Sequence, residues 1–144
     1  MAFIMKLAMT DVVRDGSLKH TYVNDKKLGY EFQIRLGNYR GHYLSCIKEL
    51  SLKVDGEDVK SEAISFCLND KEFTLTQLPS LISEFWNLIE PATIKVYKPN
   101  GLDAGAHLID VTLLLRIPYL PTPGSKQAHD YATLDSSESK LLTI

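Results

Sequence analysis

From Leu28 to Leu36 the side chains alternate without a break, Leu28, Tyr30, Phe32, Ile34 and Leu36 on one face and Glu31, Gln33 and Arg35 on the other. Successive side chains of a strand point to opposite faces, so this period of two commits the segment to a half-buried β-strand. The strand runs into Tyr39-Arg40-Gly41, a corner that no simple packing rule demands. The same period continues from Leu44 through Cys46, Leu50, Leu52 and Val54, with Lys48 as the exception. Asp55-Gly56 then reads as a hairpin turn, since both residues tolerate the positive φ of type I′ geometry. Ile64, Phe66 and Leu68 make the next strand, Asn69-Asp70 a turn, and Phe73 with Leu75 a short strand. Thr93 to Lys98 is a further strand, and Asn100-Gly101 turns the chain into an apolar run from His107 to Tyr119. Its centre, Val111 to Ile117, is apolar on both faces, as in a central strand covered on both sides.

One segment departs from this pattern. Leu81, Ile82, Phe85, Trp86 and Ile89 recur at helical spacing between Pro79-Ser80 and Pro91, which predicts a short amphipathic helix plugging one end of the sheets, with Trp86 as core filling. Short strands at regular spacing with a single short helix predict an all-β fold, an antiparallel two-sheet sandwich, with an up-and-down barrel as the alternative. From Pro121 the composition turns to Pro, Gly, Ser, Thr and charge. The expected organisation is therefore a sandwich domain over 1–120 and a C-terminal tail or partner-binding arm over 121–144, where Leu134, Leu141, Leu142 and Ile144 offer anchors.

The 144 residues suit one domain able to bury about two thirds of its unfolded surface. A net charge of −2 offers no basic field for nucleic acid or anionic lipid, so neither is an expected partner. Met1 to Met5 is apolar but has no preceding positive region and is soon interrupted by Lys6, Thr10 and Asp11. A cytoplasmic protein is expected on that ground. Cys46 and Cys67 are too few for a disulfide framework and lack zinc-site spacing; Cys46 reads as a small buried hydrophobe.

Chemistry of the chain's own is hard to find. His20, His42, His107 and His129 form no ligand pair at metal-site spacing, Gly-x-Ser-x-Gly is absent, and Ser45 and Ser65 have no visible base. Glu31 with Glu49, or Asp55 with Glu57, would be a glycosidase pair only at the right separation in space. What stands out is a concentration of Tyr and Arg: Tyr30, Arg35, Tyr39, Arg40, Tyr43, Arg116 and Tyr119. Both residue types are enriched at protein interfaces, where they join large contact area to planar hydrogen bonding. His42, beside Tyr43 and near Arg40, is the histidine best placed to join them, and His107 is read as a hydrogen-bonded residue at a strand end.

The order and spacing of Gly29-Tyr30-x-Phe32-x-x-Arg35, Tyr39-Arg40-Gly41, Leu44-Ser45-Cys46-Ile47, Val54-Asp55-Gly56-Glu57, Trp86, Pro91-Ala92, Gly101-Leu102, Gly105-x-His107 and Arg116-x-x-Tyr119 resemble the small β subunit of bacterial C-glycoside deglycosidases. The resemblance covers roughly Leu28 to Tyr119. It implies a β-sandwich partner of a larger TIM-barrel α subunit that carries a divalent metal, commonly manganese, with no metal and no catalytic residue in this chain. It further implies a lyase complex acting on flavonoid-type C-glycosides already oxidised at sugar carbon 3, and an isolated chain without activity. Arg35, Tyr39, Arg40, His42, Tyr43, His107, Arg116 and Tyr119 then become candidates for the partner interface or the cleft lining. The alternative is a stand-alone carbohydrate-binding module, for which Trp86 and the tyrosines must form an exposed stacking platform.

Overall fold

The computed structural model describes residues 4–6, 11–121 and 131–144, with the backbone path alone at 4–6, 119–121 and 131. In chain order the strands are β1 (Ile4–Lys6), β2 (Lys19–Val23), β3 (Lys26–Ile34), β4 (His42–Tyr43), β5 (Ile47–Val54), β6 (Glu57–Asp58), β7 (Ile64–Leu68), β8 (Lys71–Thr74), β9 (Phe85–Trp86), β10 (Ala92–Tyr97), β11 (Ala106–Pro121), β12 (Tyr131–Asp135) and β13 (Glu138–Thr143). One sheet runs β1-β12-β11-β5-β6 with β13 also on β11, a second runs β2-β3-β10-β7-β8, and β4 with β9 forms a two-residue ribbon. Among the described residues every pairing is antiparallel except β1 with β12. Both larger sheets are open, which gives the expected sandwich and sets the barrel aside.

The alternation that opens the sequence determines how β3 sits. Tyr30, Phe32 and Ile34 are at most 1% exposed, and they join Phe66, Ile94 and Val96 of their own sheet and Leu52, Ile109, Val111, Leu113 and Leu115 of the other in one hydrophobic cluster. Each such side chain contributes about 1.5–3 kcal/mol by leaving water. Three hairpins close on two-residue loops with both residues at positive φ: Asn24-Asp25, Asp55-Gly56 and Asn69-Asp70. This is the twist-matched type I′ geometry. Gly29 is demanded by close approach, since a β-carbon there would fall on the Val96 carbonyl of β10.

Three local readings need correction; the smallest is that the strand read through Phe73 and Leu75 ends at Thr74, and Leu75 opens a 3-10 turn. Leu44–Cys46 is a 3-10 turn, and the strand begins only at Ile47. The misfit at Lys48 is a β-bulge: Leu114 faces Glu49 and Leu115 faces Ile47, which leaves Lys48 as the extra residue, its ammonium donating to Thr133 Oγ1 at 2.7 Å. The segment 81–89 is not a helix. The short helix is the 3-10 turn Leu75–Ser80, started by a Thr74–Gln77 capping box, and the chain beyond it contributes β9 to the ribbon. Ile82 and Ile89, two of the residues that gave the helical spacing, are 75% and 90% exposed, so the period does not mark one buried face.

Beyond Pro121 the described residues belong to the first sheet. β12 pairs with the second half of β11 and β13 with the first half, on the same edge. Leu134 and Leu142 are buried, whereas Leu141 is exposed. Glu138 accepts the Val12 and Val13 N–H groups, and Lys140 binds Asp11 and the Val13 carbonyl, both at 2.9 Å, so β13 also clasps the segment that precedes β2.

Candidate functional site

Past β3 the chain stays buried through Leu36, Gly37 and Asn38, then emerges at Tyr39 and Arg40 before re-entering at His42. The reason for glycine in the Tyr-Arg-Gly corner is contact: a β-carbon on Gly41 would lie 2.6 Å from the Trp86 carbonyl oxygen and 2.7 Å from the Phe85 ring. Only a residue without a side chain lets β4 lie this close to β9. His42 pairs with Trp86 and Tyr43 with Phe85. Beneath the ribbon Trp86 is fully buried, donates its indole N–H to the Glu90 carbonyl at 2.8 Å and meets Phe66 edge-on at 5.4 Å. Above it Tyr43 is 47% exposed and packs edge-on against Phe85 at 4.9 Å, and Tyr39 is 48% exposed.

His42 itself faces inward. Its Nε2 lies 3.2 Å from the Asn38 side-chain amide, whose oxygen accepts the Arg40 backbone N–H at 3.0 Å. Burial, with a smaller contribution from the Arg40 charge, pushes the His42 pKa down to about 4, so at neutral pH the ring is uncharged and Nε2 accepts from Asn38. Histidine and asparagine together set the path on which Arg40 is presented. A hollow of about 100 Å³ lies here, lined by Arg40, Gly41, His42, Tyr43, Cys46, Phe85 and Pro118. Arg116 reaches this region from β11: its Nη2 is 3.8 Å from Cys46 Sγ, and its Nε is enclosed without a hydrogen-bond partner among the described residues.

Five of the candidates thus gather at one end of β11: Tyr39, Arg40, His42, Tyr43 and Arg116. Tyr119 follows on the same strand, and its side chain lies outside the described residues. Arg35 does not join them, because its Nε donates to the Asp11 carbonyl at 2.7 Å and its backbone N–H to that of Val12. His107 is nine residues from Arg116 on β11, about 30 Å at ~3.3 Å per residue. Phe85 and Asn38 escaped sequence reading. Phe85 was hidden by the helical spacing of 81–89, and nothing but a polar residue next to Gly37 marks Asn38.

At its own end His107 lies between two acceptors, Asp55 Oδ2 at 2.6 Å and the Asp103 carbonyl at 2.7 Å, an arrangement that suits the doubly protonated ring. The backbone acceptor first and Asp55 second raise its pKa, and the same bond, with the Leu108 N–H, lowers that of Asp55. A raised histidine contributes stability in full below its unfolded value and loses it as pH rises through the folded value. A lowered carboxylate contributes above its unfolded value and loses it on acidification. The melting-temperature gap between the wild type and His107→Ala should therefore be widest at about pH 5–6 and shrink on either side; a gap constant from pH 5 to pH 9 would contradict the pairing.

Among the described residues no three His, Cys, Asp or Glu side chains converge as a metal site, and His129 lies outside them. His20 is occupied with the Leu102 backbone at 2.9 Å. Burial, with Glu72 next, pushes the Cys67 thiol up to about 11, away from nucleophilic character. Trp86, at 0% exposure, cannot serve as the stacking platform that a stand-alone carbohydrate module needs.

A family model described as C-glycoside deglycosidase beta subunit matches residues 8–119. A 3'-dehydrocarminate deglycosidase beta subunit of a Microbacterium species is 40% identical over 97 residues, 67% of this chain and 72% of the relative. The C-glycoside deglycosidase beta subunit of Eubacterium cellulosolvens is 31% identical over 98 residues, 68% and 67% of the two chains. One from Arthrobacter globiformis is 29% identical over 133 residues, 92% of this chain and 98% of its own.

Proposed function

This chain belongs to the C-glycoside deglycosidase beta subunit family, and from that premise we propose that it docks through the Tyr39–Tyr43 corner onto an alpha subunit, stabilises it and helps to shape its cleft. The observation that carries this reading is the corner itself: two half-exposed tyrosines and Arg40, held on a ribbon that Trp86 anchors from below and Gly41 draws close. Large, pre-positioned aromatic and arginine side chains are the type that dominates binding energy at interfaces.

The relative from Microbacterium is named for 3'-dehydrocarminate, a glycoside already oxidised on its sugar. We assign this chain's complex the same substrate class, a 3-oxo-C-glycoside. A ketone at carbon 3 acidifies the proton on carbon 2, so removal of that proton followed by departure of the aglycone carbon, which takes up a proton, amounts to elimination across a carbon–carbon bond. A divalent metal in the alpha subunit, manganese on the family resemblance, would supply charge stabilisation for the enolate. The part of this chain is different: Tyr39, Tyr43 and Arg40 hold the partner, and neutral His42 with Asn38 keeps Arg40 in place.

The test is reconstitution. The chain purified alone should leave a 3-oxo-C-glycoside intact, whereas mixing it with the alpha subunit should release the aglycone at a rate that neither protein reaches alone. Turnover by the single chain, or full activity of the alpha subunit without it, overturns the reading.

A further inference from the structure

At the far end of β11 from the corner a cleft of about 350 Å³ opens, lined from both sheets: Tyr30 of β3 and Val96 and Tyr97 of β10 on one side, Val54 of β5 and the β5–β6 hairpin on the other, with Leu102 closing the floor. Nothing in the docking of an alpha subunit at Tyr39–Tyr43 uses it. Its volume lies near the lower end of the roughly 300–1,000 Å³ typical of small-molecule sites, enough for one substituted ring.

The lining mixes apolar side chains, Val54, Val59, Val96 and Leu102, with polar ones, two of which matter here. Tyr30 is 1% exposed, lines the cleft, and makes no hydrogen bond through its hydroxyl to any described residue. The hydroxyl is not among the enclosed side-chain atoms without a partner, so it opens onto the cleft, where a ligand can reach it. Burial and the nearby Asp55 charge push its pKa up to about 12, so the phenol stays protonated and available as a donor. Asp55, also in the lining, has one carboxylate oxygen fixed by His107 at 2.6 Å and the other by the Leu108 N–H at 2.9 Å, so this acceptor is oriented before anything binds. Tyr97, 61% exposed, is also among the lining residues. Charges of both signs share the rim, Glu57 and Asp58 with Lys60 and Lys98, which favours a neutral ligand over a phosphate or another polyanion.

We infer that this cleft is a binding site for a small neutral hydroxylated six-membered ring, whose hydroxyls meet the Tyr30 hydroxyl and the Asp55 carboxylate while its face lies against Tyr97. A sugar ring and a phenolic ring share that chemistry, and the experiment separates them.

The full chain, isotopically labelled, is titrated by NMR with methyl β-glucopyranoside in one arm and catechol in the other, at millimolar concentrations. The expected result in at least one arm is a saturable set of shifts confined to the amides around Tyr30, Asp55, Tyr97 and Leu102, and the arm that responds names the source. Tyr30→Phe and Asp55→Asn should each keep a native-like spectrum and weaken that binding about three- to tenfold, the effect of losing one hydrogen bond. Absence of saturable shifts at the cleft in both arms overturns the inference. So does wild-type affinity in both variants. Because the alpha subunit is absent from the titration, failure here is separate from failure of the docking reading.

Discussion

Replacing Trp86 with alanine is expected to cost about 3–5 kcal/mol of folding stability, the usual range for removing a large buried aromatic. Trp86 is 0% exposed, stacks edge-on with Phe66, is hydrogen-bonded to the Glu90 carbonyl and pairs with His42 in the ribbon. Loss of the indole empties the core beneath β4 and β9 and removes the ring against which Phe66 packs. Since a domain of this kind has only about 5–15 kcal/mol in total, the variant should stand near the edge of folding. Trp86→Phe should fall between, keeping the ring contact and losing the N–H donor. Urea denaturation measures both, and a loss below about 1 kcal/mol for Trp86→Ala would contradict the anchoring role. The same variant should lose its alpha subunit in co-purification.

Tyr39→Ala combined with Tyr43→Ala is the complementary experiment, because it alters the exposed side of the ribbon and leaves the core intact. The fold should persist, because both side chains lie on the exposed side of the ribbon; Tyr43 gives up its edge-on contact with Phe85. Affinity for the alpha subunit should fall by roughly a hundredfold or more, since tyrosines central to an interface each contribute on the order of 2 kcal/mol. Biolayer interferometry against the immobilised alpha subunit reads this directly. Unchanged affinity would remove the corner from the interface. If the corner also borders the substrate cleft, saturating the alpha subunit with the variant should leave KM for the 3-oxo-C-glycoside raised.

Much of the candidate site was legible before any fold was known, and the reasons differ by residue. Tyr39, Arg40 and Tyr43 stood out because aromatic and arginine side chains clustered at the end of a clear strand are unusual in a turn, and the structure leaves all three exposed. His42 shared their sequence neighbourhood but not their environment. Alternation places it inward, and Asn38, whose side-chain amide meets its Nε2, carries no pattern of its own. Arg35 stood among the clustered arginines, yet its Nε is taken up by the Asp11 carbonyl, whereas His107, read as a hydrogen-bonded residue at a strand end, is one, held between Asp55 and the Asp103 carbonyl. A sequence gives the donor and does not give the acceptor that arrives from a distant segment.

What the sequence determined by itself was local. An unbroken period of two fixed the buried face of β3, and Asp55-Gly56 and Asn69-Asp70 fixed two hairpins, because strand geometry and positive φ are properties of neighbouring residues. Tertiary structure decided what depends on residues far apart in the chain. It made 81–89, an apparent helix, an irregular stretch whose two strand residues, Phe85 and Trp86, pair with β4, absorbed Lys48 as a bulge, and laid residues 131–144 along β11. In each case backbone hydrogen bonds to a distant strand outweigh a local preference, because a buried segment must pair its N–H and C=O groups whatever its own periodicity favours.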